Sequence, residues 1–366
     1  MPHSGQSAPR PASLFFFVLT RGSEHDTPKK SRQASPRGPT LCESAMPTLL
    51  PLTVITDPLC HRHDTGGNGH PEAPARLTVI AERLAQSPLA GGITTLPARP
   101  AERKWLTTVH SEEYLYRFEE TALAGKSYLD HPDNQLCFES YQAALCSAGA
   151  GLVAIDLLEG GATSRVFCCG RPPGHHAERS LALGFCFLNN AAVAARYWQQ
   201  AHGRRKVMII DWDAHHGNGI QSAFEEDPEV FYLSIHEHPT WSFPGTGWKE
   251  ETGLGPGKGT TCNIPLPPGS DDHAVMQAIA EQVEPALSRF DPEALIICAG
   301  FDGHVADDMS GLSYTTELYR HLGDCAARWA ERYCQGRVLT LLEGGYHLDS
   351  LAAGVEGYLT GLTTEP

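Results

Sequence analysis

From Leu52 onward the chain alternates short apolar runs with longer segments in which apolar residues recur every three or four positions. Compact apolar runs bounded by Gly, Pro or Asp predict strands, and the three-to-four recurrence predicts amphipathic helices. Strands are expected at residues 52–56, 165–169, 207–211, 230–235, 294–299 and 337–342, with helices near 74–85, 111–124, 139–158, 190–200, 271–289, 315–331 and 348–359. Such alternation argues for an α/β fold, a single domain with a mostly parallel central sheet and helices on both faces. No internal repeat or interior linker breaks the pattern. Ligands of such sheets bind beyond the carboxyl ends of the strands, which is where the chemistry-bearing residues fall.

The run Val207-Met208-Ile209-Ile210 ends in Asp211 and is followed by Trp212-Asp213-Ala214-His215-His216-Gly217-Asn218-Gly219. In extended backbone, side chains two apart point the same way, so Asp213 and His215 can converge on one ion with Asp211 behind them. Carboxylate plus imidazole suits zinc or another first-row divalent ion. A second run leads into Gly170-Arg171-Pro172-Pro173-Gly174-His175-His176, a loop stiffened by proline with two histidines at its tip facing a common cleft. A third ends at Gly300-Phe301-Asp302-Gly303-His304, where His304 competes as a ligand with the blander reading of a loop histidine. A fourth ends at Glu343-Gly344-Gly345-Tyr346, with Tyr346 projecting into the cleft.

These motifs, together with Gly184-Phe185-Cys186-Phe187 and Trp241-Ser242-Phe243-Pro244-Gly245, resemble the zinc-dependent histone deacetylase and acetylpolyamine amidohydrolase family. Asn218 is similar to the class II branch. The resemblance covers roughly residues 52 to 360 and implies an arginase/deacetylase-like fold. By that resemblance Asp213, His215 and Asp302 hold zinc, with iron(II) as the alternative. His176 is general base and then general acid, His175 assists electrostatically, Asp211 and Asn218 stand behind the two histidines, and Tyr346 donates to the oxyanion. Gly184, Phe185 and Phe243 line a narrow acyl-lysine tunnel, a role for which burial in the core is the bland alternative. A structural potassium ion is implied at Asp211 and Ser234, with carbonyls of Asp213, His215 and Ile235. Weaker matches at residues 70–77 and 109–115 look like the family's rim loops. Asp133 and Glu72 are expected as solvated loop carboxylates, with contact to a cationic group as the sharper alternative.

The expected activity is removal of an acetyl or other acyl group from a lysine side chain or a related aminoalkyl amide. Acetylpolyamines and small N-acyl amines are the alternative substrates. Two further rivals are a non-catalytic acyl-lysine binding module, which retention of His176 and Tyr346 disfavours, and a binuclear manganese ureohydrolase, for which too few extra ligands occur. With 28 basic and 43 acidic residues the net charge is −15, which repels nucleic acid and mildly favours cationic substrates. Eleven cysteines, an odd count without a C-x-x-C pair, with Cys168, Cys262 and Cys298 inside apolar runs, read as buried reduced thiols in a cytoplasmic protein. A homo-oligomer is allowed, and no membrane association is expected.

Residues 1–45 are rich in Pro, Ser, Lys and Arg, and their one apolar run, Leu14 to Leu19, is too short to span a bilayer. They are expected to be a disordered tail or the product of a mis-assigned start, with the catalytic domain occupying 46–366. A chain starting at Met46 should therefore keep its activity and melting temperature. Insolubility or inactivity of that truncated protein would show the segment to be part of the fold.

Overall fold

The computed structural model describes residues 49–64 and 69–365. The tail expected at residues 1–45 lies outside the described residues. Eight strands form one sheet: β1 (Leu52–Thr56), β2 (Ile93–Pro97), β3 (Arg165–Cys168), β4 (Val207–Asp211), β5 (Val230–Glu237), β6 (Thr261–Leu266), β7 (Ala294–Ala299) and β8 (Val338–Leu342). Their order is β2-β1-β3-β8-β7-β4-β5-β6, and every neighbouring pair runs parallel. Helices α1 (Pro58–Arg62), α2 (Ala75–Gln86), α3 (Arg103–Leu106), α4 (Glu112–Leu123), α5 (Ser140–Glu159) and α6 (Asn190–His202) alternate with the first strands. They are followed by α7 (Asn218–Phe224), α8 (Asp272–Ala278), α9 (Glu284–Phe290), α10 (Thr316–Cys334) and α11 (Leu348–Thr363).

The central strands β3, β4, β7 and β8 are buried at every residue. That follows from their sequences, near-continuous apolar runs covered on both faces. Helices α5 and α6 pack on one another and against the strands, while α10 and α11 form a second packed pair, with α2 against α11. Helix α5 is long and apolar enough to cross a membrane, yet 72% of that apolar window is buried inside this fold. It is the central core helix, running beside β1, β3 and β8.

The two strands without a counterpart in the sequence reading, β2 and β6, are the two edges of the sheet. β2 has only half-exposed and exposed residues and ends in Pro97, and β6 carries Asn263 and Pro265. Edge strands need no continuous apolar run and tolerate proline, so the signal that marks central strands is missing there. The segment read as one helix over 271–289 is interrupted by a π-helical turn at Ile279–Val283 between α8 and α9. Pro285 has no N–H to donate and its ring clashes with the carbonyl four residues back, which the wider turn accommodates. All ten described cysteines are free, but Cys262 is only half-buried because it lies on edge strand β6, contrary to its apolar surroundings in the sequence.

Helices α10 and α11 approach so closely that backbone meets backbone. A Cβ added at Gly323 would lie 2.0 Å from the Tyr358 carbonyl oxygen, and one at Gly361 would lie 2.1 Å from that of Arg320. Gly323→Ala should thus push the pair apart and lower stability by about 1–3 kcal/mol, the usual cost of overpacking. Thermal unfolding checks this, and an unchanged melting temperature would mean that the helices slide apart without loss.

Candidate active site

Four strand ends deliver the site. The last residue of β4, Asp211, accepts at Oδ1 from the Asp213 N–H at 3.1 Å and at Oδ2 from the Tyr232 hydroxyl at 3.1 Å. The next turn folds back over it: Asp213 Oδ1 accepts the His215 N–H at 2.9 Å and Oδ2 accepts the Gly344 N–H at 2.7 Å. From the end of β7, Asp302 Oδ1 accepts the Ala214 N–H at 2.9 Å. His215 Nδ1 then lies 3.1 Å from both Asp213 Oδ1 and Asp302 Oδ2. The approach depends on glycine, since a Cβ at Gly300 would lie 2.3 Å from Asp213 Oδ2 and one at Gly344 would lie 2.1 Å from Asp302 Oδ2.

Ligand atoms of Asp213, His215 and Asp302 lie within 4.8 Å of one another, all buried. The Met309 carbonyl, 3.1 Å from His215 Nε2, can only accept, so Nε2 carries a proton and Nδ1 faces the two carboxylates. Burial opposes the charge on each group, and the groups answer each other. Burial and the Asp213 charge push Asp302 up to about 6. Burial disfavours a charged His215, but its bonds to Asp213 and Asp302 raise its pKa well above the ordinary imidazole value. Two carboxylates and one imidazole nitrogen in a dry pocket form a donor set that asks for positive charge and fits a divalent cation.

The loop after β3 places the histidine pair beside this cluster. His175 Nδ1 is 3.1 Å from Asp211 Oδ2, and His176 Nδ1 is 2.8 Å from Asn218 Oδ1. Asn218 Nδ2 donates to Glu178 Oε1 at 2.8 Å. A carboxylate accepts only, so this bond orients the amide with its oxygen toward His176, whose Nδ1 must then carry the proton and leave Nε2 with the lone pair. The two histidines differ in charge. Burial disfavours protonation of both, yet Asp213 and Asp211 raise His175 to about 10. Burial, reinforced by the positive charge of His175, holds His176 well below its usual value.

Tyr346 follows Gly344 and Gly345, the latter at φ 117°. Its ring lies 5.7 Å edge-on from Phe185, and the Arg76 guanidinium lies over it, 4.9 Å from its centroid. Burial raises its pKa well above the usual phenol value, so the hydroxyl stays protonated. Phe243 stands 5.0 Å edge-on from His176 and remains 42% exposed. Gly184 sits between the two, where a Cβ would lie 2.3 Å from His176 Cδ2 and 2.8 Å from Phe243 Cε1. Among the residues named for potassium, Asp211 and Ser234 are register partners on β4 and β5, Ser234 Oγ pairs with His236 Nδ1 at 2.7 Å, and Ile235 is buried.

Several sequence expectations shift. Glu72 is not a solvated loop carboxylate: it is 0% exposed and paired with Arg76, Arg171 and His63. Arg76 from the same motif reaches inward and donates to the backbone oxygens of Gly345, at 2.7 Å, and Glu343. Within 109–115, His110 is buried and bonded to the Glu178 carbonyl and the Asn189 N–H, both at 2.9 Å, while Glu112 and Glu113 are exposed. Burial lowers the His110 pKa to about 4. His304 stands apart from the ligand cluster, half-buried with Nε2 3.2 Å from Thr316 Oγ1. Asp133 is exposed, as expected of a loop carboxylate. Glu178, Glu343 and Asp307 had no sequence signal beyond their neighbours, because their partners lie 40 or more residues away or on another loop.

Comparison with known proteins places this geometry. The Histone deacetylase domain family matches residues 70–362. Histone deacetylase 10, chloroplastic, of Oryza sativa subsp. japonica is 38% identical over 315 residues, covering 81% of this chain and 70% of that protein. Polyamine deacetylase HDAC10 of Homo sapiens is 38% identical over 295 residues, covering 78% of this chain and 43% of that protein. The solved structure of the HDA15 HD domain superposes with a TM-score of 0.79 at 34% identity, covering 85% of this chain and 87% of that one. A parallel eight-stranded arginase/deacetylase fold, with the matched span running through all four strand-end loops, makes this chain a member of the histone deacetylase family.

Proposed function

We propose that the protein is a zinc-dependent deacetylase, hydrolysing the amide between an acetyl or related acyl group and a primary-amine nitrogen at the end of an alkyl chain. The observation that carries this reading is the meeting of three things at one place: the buried Asp213/His215/Asp302 cluster, a neutral His176, and the Tyr346 hydroxyl. Asp213, His215 and Asp302 would hold the zinc, or iron(II), which when bound supplies a Lewis acid for the acyl carbonyl and an acidified water. His176, neutral with a lone pair on Nε2, takes a proton from the attacking water and later delivers it to the leaving amine. Asn218 and Glu178 hold that tautomer. His175, cationic beside Asp211, contributes positive field where negative charge develops. Tyr346 donates a hydrogen bond to the carbonyl oxygen as it gains charge.

Phe185 and Phe243 offer apolar faces to the alkyl stem, where each buried methylene contributes roughly 0.8 kcal/mol. Acetyl-lysine, which carries such a stem, is the substrate we propose. The likeness to a human protein named for polyamine deacetylation supports acetylpolyamines as the alternative. We further propose a structural potassium ion near Asp211 and Ser234, supported by their register. A cytoplasmic setting is part of the proposal, supported by the free thiols of all ten described cysteines.

Tyr346→Phe keeps the ring and removes only the donor. Its kcat on an acetyl-lysine peptide should fall by roughly 10² to 10³, the usual loss for one oxyanion donor, with KM nearly unchanged. Trifluoroacetyl-lysine, more electrophilic, should regain part of that loss. A variant as fast as the parent sinks the oxyanion role. A parent that binds zinc and acetyl-lysine but turns over neither substrate would be a binding module.

A further inference from the structure

Asp307, in the loop after β7, is 5% exposed and uses both carboxylate oxygens as acceptors. Oδ2 accepts the backbone N–H of Tyr346 at 2.6 Å and of His347 at 2.9 Å. Oδ1 accepts the N–H of Met309 at 3.1 Å, and the Met309 carbonyl in turn faces His215 Nε2 at 3.1 Å. One carboxylate thus ties the loop carrying the tyrosine to the carbonyl that orients the histidine.

We infer that Asp307 is a positioning residue: it sets the Tyr346 phenol and, through Met309, the His215 imidazole in one fixed relation. The inference rests on the roles proposed above for those two residues. Tyr346 needs such an anchor because two glycines precede it, and Gly345 at φ 117° occupies backbone space that other residues rarely enter. Arg76 fixes the near side of that turn through the Gly345 oxygen at 2.7 Å. Asp307 fixes the far side. Its own loop is pinned in turn, since Ser310 Oγ donates to the Asp302 carbonyl at 2.9 Å. The oxygens of Asp307 therefore connect the strand-end loops after β7 and β8, each taken up by backbone N–H groups.

A purely structural role is the competing account, because Asp307 also accepts from His347, the residue that caps α11, and a carboxylate there stabilises a helix end. Asp307→Asn separates the two accounts: it keeps the size but turns one acceptor into an amide donor facing backbone N–H groups. The measurements are zinc Kd by competition with a chromophoric chelator, and kcat and KM on an acetyl-lysine peptide at saturating zinc. They are made for Asp307→Asn, Tyr346→Phe and the double variant. The expected kcat of Asp307→Asn is lower by about tenfold to 10²-fold, the scale of a slightly misplaced catalytic group, with KM unchanged. Zinc Kd should rise by about tenfold, as when a ligand's outer partner is lost. In the Tyr346→Phe background the same substitution should cost almost nothing further in kcat, because the group it positions is already gone.

Asp307→Glu, which keeps the charge but overreaches, gives the same readings if the Asn variant is insoluble. Parental kcat at saturating zinc, or losses that multiply in full in the double variant, overturns the tie to Tyr346. An unchanged zinc Kd overturns the tie to His215. Tyr346→Phe at the parental rate would instead sink the function proposed for Tyr346 itself, an outcome read from that single variant alone.

Discussion

Two carboxylates held away from water within hydrogen-bonding distance of one imidazole are the constraint on which this site depends. A buried charge without a partner costs several kcal/mol, so Asp213 and Asp302 persist side by side only with positive charge between them. His175, His215 and the N–H groups of Gly344 and Ala214 all point that way. The rest of the local sequence follows from the same requirement. Gly300 and Gly344 are glycine because a side chain there would occupy the space of the carboxylate oxygens. The same dry pocket keeps His176 neutral and Tyr346 protonated, the states their proposed roles need.

Around this cluster lies a second buried ion network that holds the loops. Glu72 takes bonds from Arg171 at Oε2, 2.7 Å, and from Arg76 at Oε1, 3.1 Å. Arg171 also donates to the carbonyls of Cys60 and His63, both at 2.9 Å. The loop before α2, the histidine loop after β3 and the glycine turn after β8 therefore meet at a few guanidinium groups. Arginine suits such a place, since its planar fork can satisfy several carbonyls and a carboxylate at once.

Much of this was legible in the sequence, for a physical reason. Central strands of a parallel sheet are apolar on both faces, so β1, β4 and β7 appear in the sequence with their observed bounds, and their carboxyl ends point to Asp211 and Asp302. Local spacing brought Asp213 and His215 together because both sit on one turn. What stayed hidden depended on distant contacts or on relaxed local demands. The edge strands β2 and β6 have exposed residues and proline. Glu72 reads as a loop acid until Arg171, 99 residues away, is seen to pair with it. Asp307 carries no motif of its own, and its meaning comes from Tyr346, 39 residues on. The family resemblance supplied roles for Phe185 and Tyr346 that spacing alone could not.

If the buried donor set holds one divalent cation, as the proposed reaction requires, that cation can be counted. Native mass spectrometry with elemental analysis, on protein prepared without chelator, should find one zinc or iron ion per chain. Asp302→Asn, which keeps the side chain's size but removes one anionic ligand, should abolish that occupancy. Two ions per chain with manganese preferred, or an Asp302→Asn protein that still carries a full complement of zinc, would contradict the account.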